Sequence, residues 1–146
     1  EPVRCTDVQI PPKEYYKRIR RICDDYDIAL IFDEIPTAFG RTGKMFVYQH
    51  YDIEPDILVV GKGLGGALYP ISAVIAKESF DVCKEISLGH YTHEKSPLGA
   101  TVGLALIEYI EKANLLEQVE EIGNYMTQRL QKMQERFAKH WSTACC

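Results

Sequence analysis

Long apolar runs are missing from this chain: none approaches the ~20 residues that a bilayer-crossing helix needs, so no membrane partner is expected. A basic excess is missing too. Lys and Arg number 17 against 21 Asp and Glu, and a net charge of −4 offers a polyanion no footprint, which argues against nucleic acid. The one basic cluster, Lys17-Arg18-Ile19-Arg20-Arg21, falls on a helical pattern with Asp24 and Asp25 behind it and reads as a solvated face. Cys5, Cys23, Cys83, Cys145 and Cys146 follow no CxxC or other metal-ligand spacing. An odd count without a framework leads us to expect reduced thiols and a cytoplasmic location. His90-Tyr91-Thr92-His93-Glu94 is neither HExxH nor HxxEH, so no metal is expected. Internal repeats and low-complexity stretches are absent as well.

What remains is an ordinary globular composition, 46% hydrophobic and 26% charged over 146 residues, enough for one domain with a real core. Pro11-Pro12 open a helical pattern that carries Tyr15, Ile19, Ile22 and Tyr26 at spacings of three and four. The apolar run 28–32 reads as a short buried strand. Residues 36–56 have no sustained period and read as a long loop of the active-site type. Further strands are expected at 57–60 and 71–76. Helices are expected at 97–112 and 115–139, the latter with Leu115, Val119, Ile122, Met126, Leu130, Met133 and Phe137 on a stripe that must bury against something. A coiled-coil seam is the alternative use for that stripe. The whole is expected to be α/β: short, mostly parallel-type strands with flanking helices and a long C-terminal helix.

Two of these strands end on charge. Ile28-Ala29-Leu30-Ile31-Phe32 runs into Asp33-Glu34, and Ile57-Leu58-Val59-Val60 runs into Gly61-Lys62-Gly63-Leu64-Gly65-Gly66. The C-terminal ends of strands are where open α/β sheets collect their ligands. Apolar residues before Asp-Glu also form the Walker B pattern, but that needs an upstream GxxxxGK[ST]; Gly40-Arg41-Thr42-Gly43-Lys44-Met45 lacks the spacing and lies downstream. Residues 61–66 match GxGxxG, yet Pro70 and another strand-like run follow where the dinucleotide fingerprint requires a helix. A third chemistry uses both charges. Pyridoxal phosphate enzymes hold the cofactor as a Schiff base on a lysine, with an acid paired to the pyridinium nitrogen. Lys62 suits the amine and Asp33 the acid, while Gly61 and Gly63 would let a bulky cofactor approach the backbone. The plainer alternatives are a surface lysine in a flexible loop for Lys62, and a cap or loop ion pair for Asp33.

The run Asp33-Glu34-Ile35-Pro36-Thr37-Ala38-Phe39-Gly40-Arg41-Thr42-Gly43-Lys44-Met45-Phe46 resembles the signature of the class III (ornithine and 4-aminobutyrate type) aminotransferases, commonly D-E-V-Q-T-G-F-G-R-T-G-K. Tyr51 to Ile57, Lys62 to Gly66 and Tyr69 to Ala73 look like that family's lysine segment, and the likeness extends from Glu1 to about Phe137. The resemblance implies part of a fold type I large domain, a homodimer with cofactor sites at the subunit interface, and pyridoxal 5'-phosphate as cofactor. It implies Lys62 as the Schiff-base residue, Asp33 at the pyridinium nitrogen, and Thr92 reaching the cofactor phosphate of the other subunit. A loop hydroxyl capping the helix near Pro97 is the alternative for Thr92. The implied substrates are an amino acid and a 2-oxo acid.

Two departures from the family pattern stand out. Pro36 replaces a glutamine that touches the cofactor's phenolic oxygen in many members, and Tyr91-Thr92-His93-Glu94-Lys95-Ser96-Pro97 replaces the commoner S-T-F-G-G-N-P. Both point to a divergent subgroup, in which lyase or decarboxylase chemistry is the alternative to transamination. We expect residues 1–114 to be part of the cofactor-binding large domain, 115–140 to be a helix leading toward a C-terminal domain, and 141–146 to be an atypical tail. Strand-like Glu1-Pro2-Val3 at one end and the tail at the other lead us to expect an excerpt of a larger protein. By itself it is open to a third reading, a catalytically inactive fragment.

Overall fold

The computed structural model describes residues 1–3, 8–83, 85–86, 92 and 94–137. Helix α1 spans Lys13–Asp25, with extended Pro12 just before it. A proline there loses nothing, because the N–H groups of a first helical turn have no partner inside the helix. The face that α1 buries is not the expected one. Tyr16 and Cys23 are buried, with Ile19 partly so, whereas Tyr15, Ile22 and Tyr26 are exposed. The physical reason is the Tyr16 ring, which meets Phe32 at 5.0 Å and Tyr51 at 4.7 Å edge to face. Its hydroxyl donates to the Pro2 carbonyl at 2.7 Å, and burial pushes the phenol up to about 12.

Strand β1 is Ile31–Asp33, β2 is Ile57–Val60 and β3 is Ala73–Ala76, in a three-stranded sheet of order β1-β2-β3. Strand β1 starts later than the apolar run because Asp27 turns at φ +53° and Ile28 N–H still donates to Cys23 at the end of α1. β1 and β2 run parallel, with Phe32 beside Leu58 and Asp33 beside Val59. β3 runs antiparallel to β2, so the sheet is mixed rather than mostly parallel. Phe32, Leu58 and Val60 form the buried face, against Tyr16, Tyr51 and Val47. The other face carries Ile31, Asp33, Val59 and Val74 and stays open, with Ile31 56% and Val74 68% exposed.

Asp56 staples the opposite end of the sheet. Its carboxylate accepts from Leu30 N–H at 2.8 Å, from Arg20 at 2.6 Å and from Lys77 at 2.8 Å, and these bonds hold it well below the usual carboxylate range against the opposing effect of burial. Arg20 therefore does not belong to a solvated face. It is mostly buried, paired to Asp56 and Asp24.

Helix α2 spans Pro97–Lys112 and α3 spans Leu115–Phe137. They are joined at Asn114, whose φ of +50° makes the turn. Helix α3 departs from expectation: none of its described residues is buried, and its stripe from Ile122 to Phe137 faces outward. Only its start packs, with Leu116 over Gly40 and Glu120 over Gly43. The last residues of the expected helix and the tail 141–146 lie outside the described residues. Among the described residues, no helix is long and apolar enough to cross a membrane.

Candidate active site

The segment after β1 is not a loose loop. Pro36, Thr37, Ala38, Gly40, Gly43, Val47 and Tyr51 are all buried. Glu34 organises it. This carboxylate, 0% exposed, accepts from Val47 N–H at 2.7 Å, Tyr48 N–H at 3.0 Å and the Thr37 hydroxyl at 3.3 Å. It thereby satisfies the first amides of the short 3-10 helix Val47–His50. Burial raises its pKa, and the bonds from Val47, Tyr48 and Thr37 offset part of that rise. The one signal in the sequence is alternation: Glu34 stands two residues after buried Phe32 and so falls on the same side.

Asp33 closes β1 at the edge where β2 also ends, in register with Val59. It is half-buried, and its Oδ1 accepts the Ile35 N–H at 3.0 Å, so the local capping considered for it does occur on one oxygen. Lys62 opens the 3-10 turn Lys62–Gly65 directly after β2. Its side chain is exposed and its backbone sits at φ +31°. The turn is closed by Leu64 N–H donating to Gly61 at 2.8 Å and Gly66 N–H to Gly63 at 2.9 Å.

A hollow of about 440 Å³ opens beside Lys62, lined also by Ile35, Gly61, Tyr69, Pro70, Ile71 and Ser72. Asp33 is not part of its wall but lies two residues before Ile35, which is. The glycines flanking Lys62 have packing partners: a Cβ on Gly61 would meet Ile35 and Ser72 at 3.5 Å, and one on Gly63 would press on Phe39 at 3.2 Å. At Gly63 the room that the sequence suggested for a cofactor is taken by a phenylalanine ring.

Thr92 is exposed in a turn ahead of α2 and is not brought next to Lys62 by any described contact. It does not cap the helix either. That work falls to Ser96, whose hydroxyl accepts from Gly99 N–H at 3.5 Å and pairs with the Tyr69 hydroxyl at 3.3 Å. Tyr69 thus ties the hollow to α2, a role the sequence did not signal. Among the described residues, no three His, Cys, Asp or Glu gather as a metal site.

Comparison with known proteins gives a consistent picture. The family profile described as Aminotransferase class-III matches residues 1–142. The (R)-1-hydroxy-2-aminoethylphosphonate ammonia-lyase of Vibrio splendidus is 51% identical over 137 residues, covering 94% of this chain and 29% of that protein. The acetylornithine aminotransferase of Methanocaldococcus jannaschii is 40% identical over 132 residues, covering 89% and 32%. In structure, the taurine:2-oxoglutarate aminotransferase of Bifidobacterium kashiwanohense, solved with PLP and glutamate, superposes with a TM-score of 0.86 at 29% identity, over 93% of this chain and 31% of that one. The chain spans about three-tenths of the length of these proteins.

Proposed function

The chain belongs to the class-III aminotransferases, and from that membership we propose that it supplies the lysine-bearing part of a pyridoxal 5'-phosphate enzyme that moves an amino group between an amino acid and a 2-oxo acid. The observation that carries this is the common sheet edge of Asp33 and Lys62, at the C-terminal ends of two parallel strands. The residues suit the cofactor. The hollow beside Lys62 has apolar walls in Ile35 and Ile71 and hydroxyls on Tyr69 and Ser72, a lining fit for a flat ring with polar substituents.

When bound, pyridoxal phosphate supplies an electron sink for a substrate carbon that has lost a proton. Lys62 Nζ would hold the cofactor and, once released, shuttle that proton between the substrate carbon and the cofactor. Asp33 would keep a proton on the ring nitrogen through its carboxylate. Thr92 would donate its hydroxyl to the phosphate in the other subunit of a cytoplasmic homodimer. Residues 1–114 then form part of the large domain, and α3 leads toward a second domain.

One observation favours a second reading, elimination of ammonia. Identity is higher to the ammonia-lyase than to the acetylornithine aminotransferase, 51% against 40%. Pro36, which has neither side-chain nor backbone N–H to donate, stands where a family glutamine would contact the ring. The test uses the full-length protein. Loading it with pyridoxal phosphate should give a visible absorbance band that Lys62→Ala abolishes. Amino acid formed only when a 2-oxo acid is supplied supports transamination; ammonia released from a hydroxyl-bearing aminophosphonate with no acceptor present supports elimination. A band that survives Lys62→Ala rejects both.

A further inference from the structure

We propose that Phe39 is a positioning residue for Lys62, acting as a wedge that holds the lysine's backbone in an unfavourable conformation. Lys62 carries a side chain at φ +31°, in the left-handed region that such residues rarely adopt. Conformations of this kind persist only where the surroundings over-determine them. Gly63 reveals what does so here. It is not among the glycines at positive φ, so its backbone does not explain the missing side chain. The explanation is contact: the Phe39 ring and Cβ sit 3.2 and 3.3 Å from where a Gly63 Cβ would be. On the other flank, Ile35 and Ser72 close on Gly61. Both neighbours of Lys62 in the chain are thus packed, Gly63 the more tightly.

The wedge is itself braced. Phe39 stands at φ +61° and its N–H donates to Met45 at 2.7 Å. Its ring meets Phe46 edge to face at 6.0 Å, and Phe46 stacks on Tyr48 at 5.6 Å. The Tyr48 amide is held by buried Glu34, the residue next to Asp33. A continuous set of contacts therefore runs from the acid end of β1 to the lysine end of β2. Removing the ring frees Gly63 and lets Lys62 relax toward ordinary φ, displacing its amine.

The inference rests on Lys62 being the cofactor lysine, and its test separates the two claims. Hydrogen exchange of the full-length protein without added cofactor reads the clamp directly. In Phe39→Ala, the Leu64 and Gly66 amides, which close the Lys62 turn, should exchange about tenfold faster or more, while β2 amides change little. In the cofactor-loaded protein, the pH midpoint of the lysine-dependent absorbance should move by about one unit, and Phe39→Leu should largely restore both readings. Uniform acceleration across β2 and the turn, or no change at the turn, overturns the proposal. If the band never depended on Lys62, the function fails while the exchange data still judge the wedge.

Discussion

Glu34 shows how one buried charge can shape a site without touching a ligand. Replacing it with Gln keeps the shape but turns an NH₂ group toward an amide N–H of Val47 or Tyr48, leaving a buried donor unpaired. The expected cost is about 1–3 kcal/mol at neutral pH, read as a lower urea midpoint. The pH dependence has a definite sign. A carboxyl raised in the folded protein binds its proton more readily there than in the unfolded chain, so its destabilising contribution is full above the folded pKa and vanishes below the ordinary value of 4.5. Wild-type stability minus that of Glu34→Gln should therefore increase as pH falls from neutral toward 4.5. A flat or opposite difference would show that Glu34 is not held as described.

At the scale of elements, the helix glycines make opposing predictions. Gly123 lies on α3 with nothing within 4 Å of an added Cβ, so Gly123→Ala should stabilise by roughly 0.5–1 kcal/mol through helix propensity alone. A Cβ added at Gly99 on α2 would come within 2.9 Å of the Tyr69 ring, so there the same change must move Tyr69. Overpacking of about 1–3 kcal/mol then outweighs the propensity gain, and the melting temperature should fall. Paired thermal melts decide both. The elements themselves were largely legible in the sequence: α1, β2, α2 and α3 lie where proline, glycine and apolar spacing put them. Faces were less so. Of the α1 residues at helical spacing, Ile19 packs inward while Tyr15, Ile22 and Tyr26 do not, because Tyr16 is drawn inward by Phe32 and Tyr51, partners distant in sequence. At the site, the strand-end positions of Asp33 and Lys62 could be read from runs of apolar residues. The amides that Glu34 binds and the Phe39 wedge could not, since both depend on a folded segment without any period.

For the molecule as a whole, Asp56 supplies the acid sensitivity. Its folded pKa is depressed, so the stability it contributes is present above the ordinary value of 3.8 and is lost as pH falls through the folded value. Asp56→Asn should cost roughly 2–3 kcal/mol near pH 7, because two cations and an amide lose a charged acceptor. The variant should also lose the part of the acid-unfolding slope that lies below pH 3.8, where wild type is still protected. Denaturant titrations at pH 7 and pH 3 measure both, and equal slopes in the two proteins would sink the assignment.

The same carboxylate has a consequence for the order in which the molecule comes apart. Asp56 joins α1 through Arg20, the entry to β1 through Leu30 and the exit of β3 through Lys77, segments that the chain visits far apart in time as it is made. No one of them can swing away without costing the carboxylate one of its three partners. The amides of Leu30, Ile57 and Lys77 should therefore open together, at one shared free energy, as a single cooperative unit. The Lys62 end is held by a different set, Glu34 to Val47 and Tyr48 and Phe39 against Gly63, so the end of the sheet that would handle substrate can open separately from the end that Asp56 ties together.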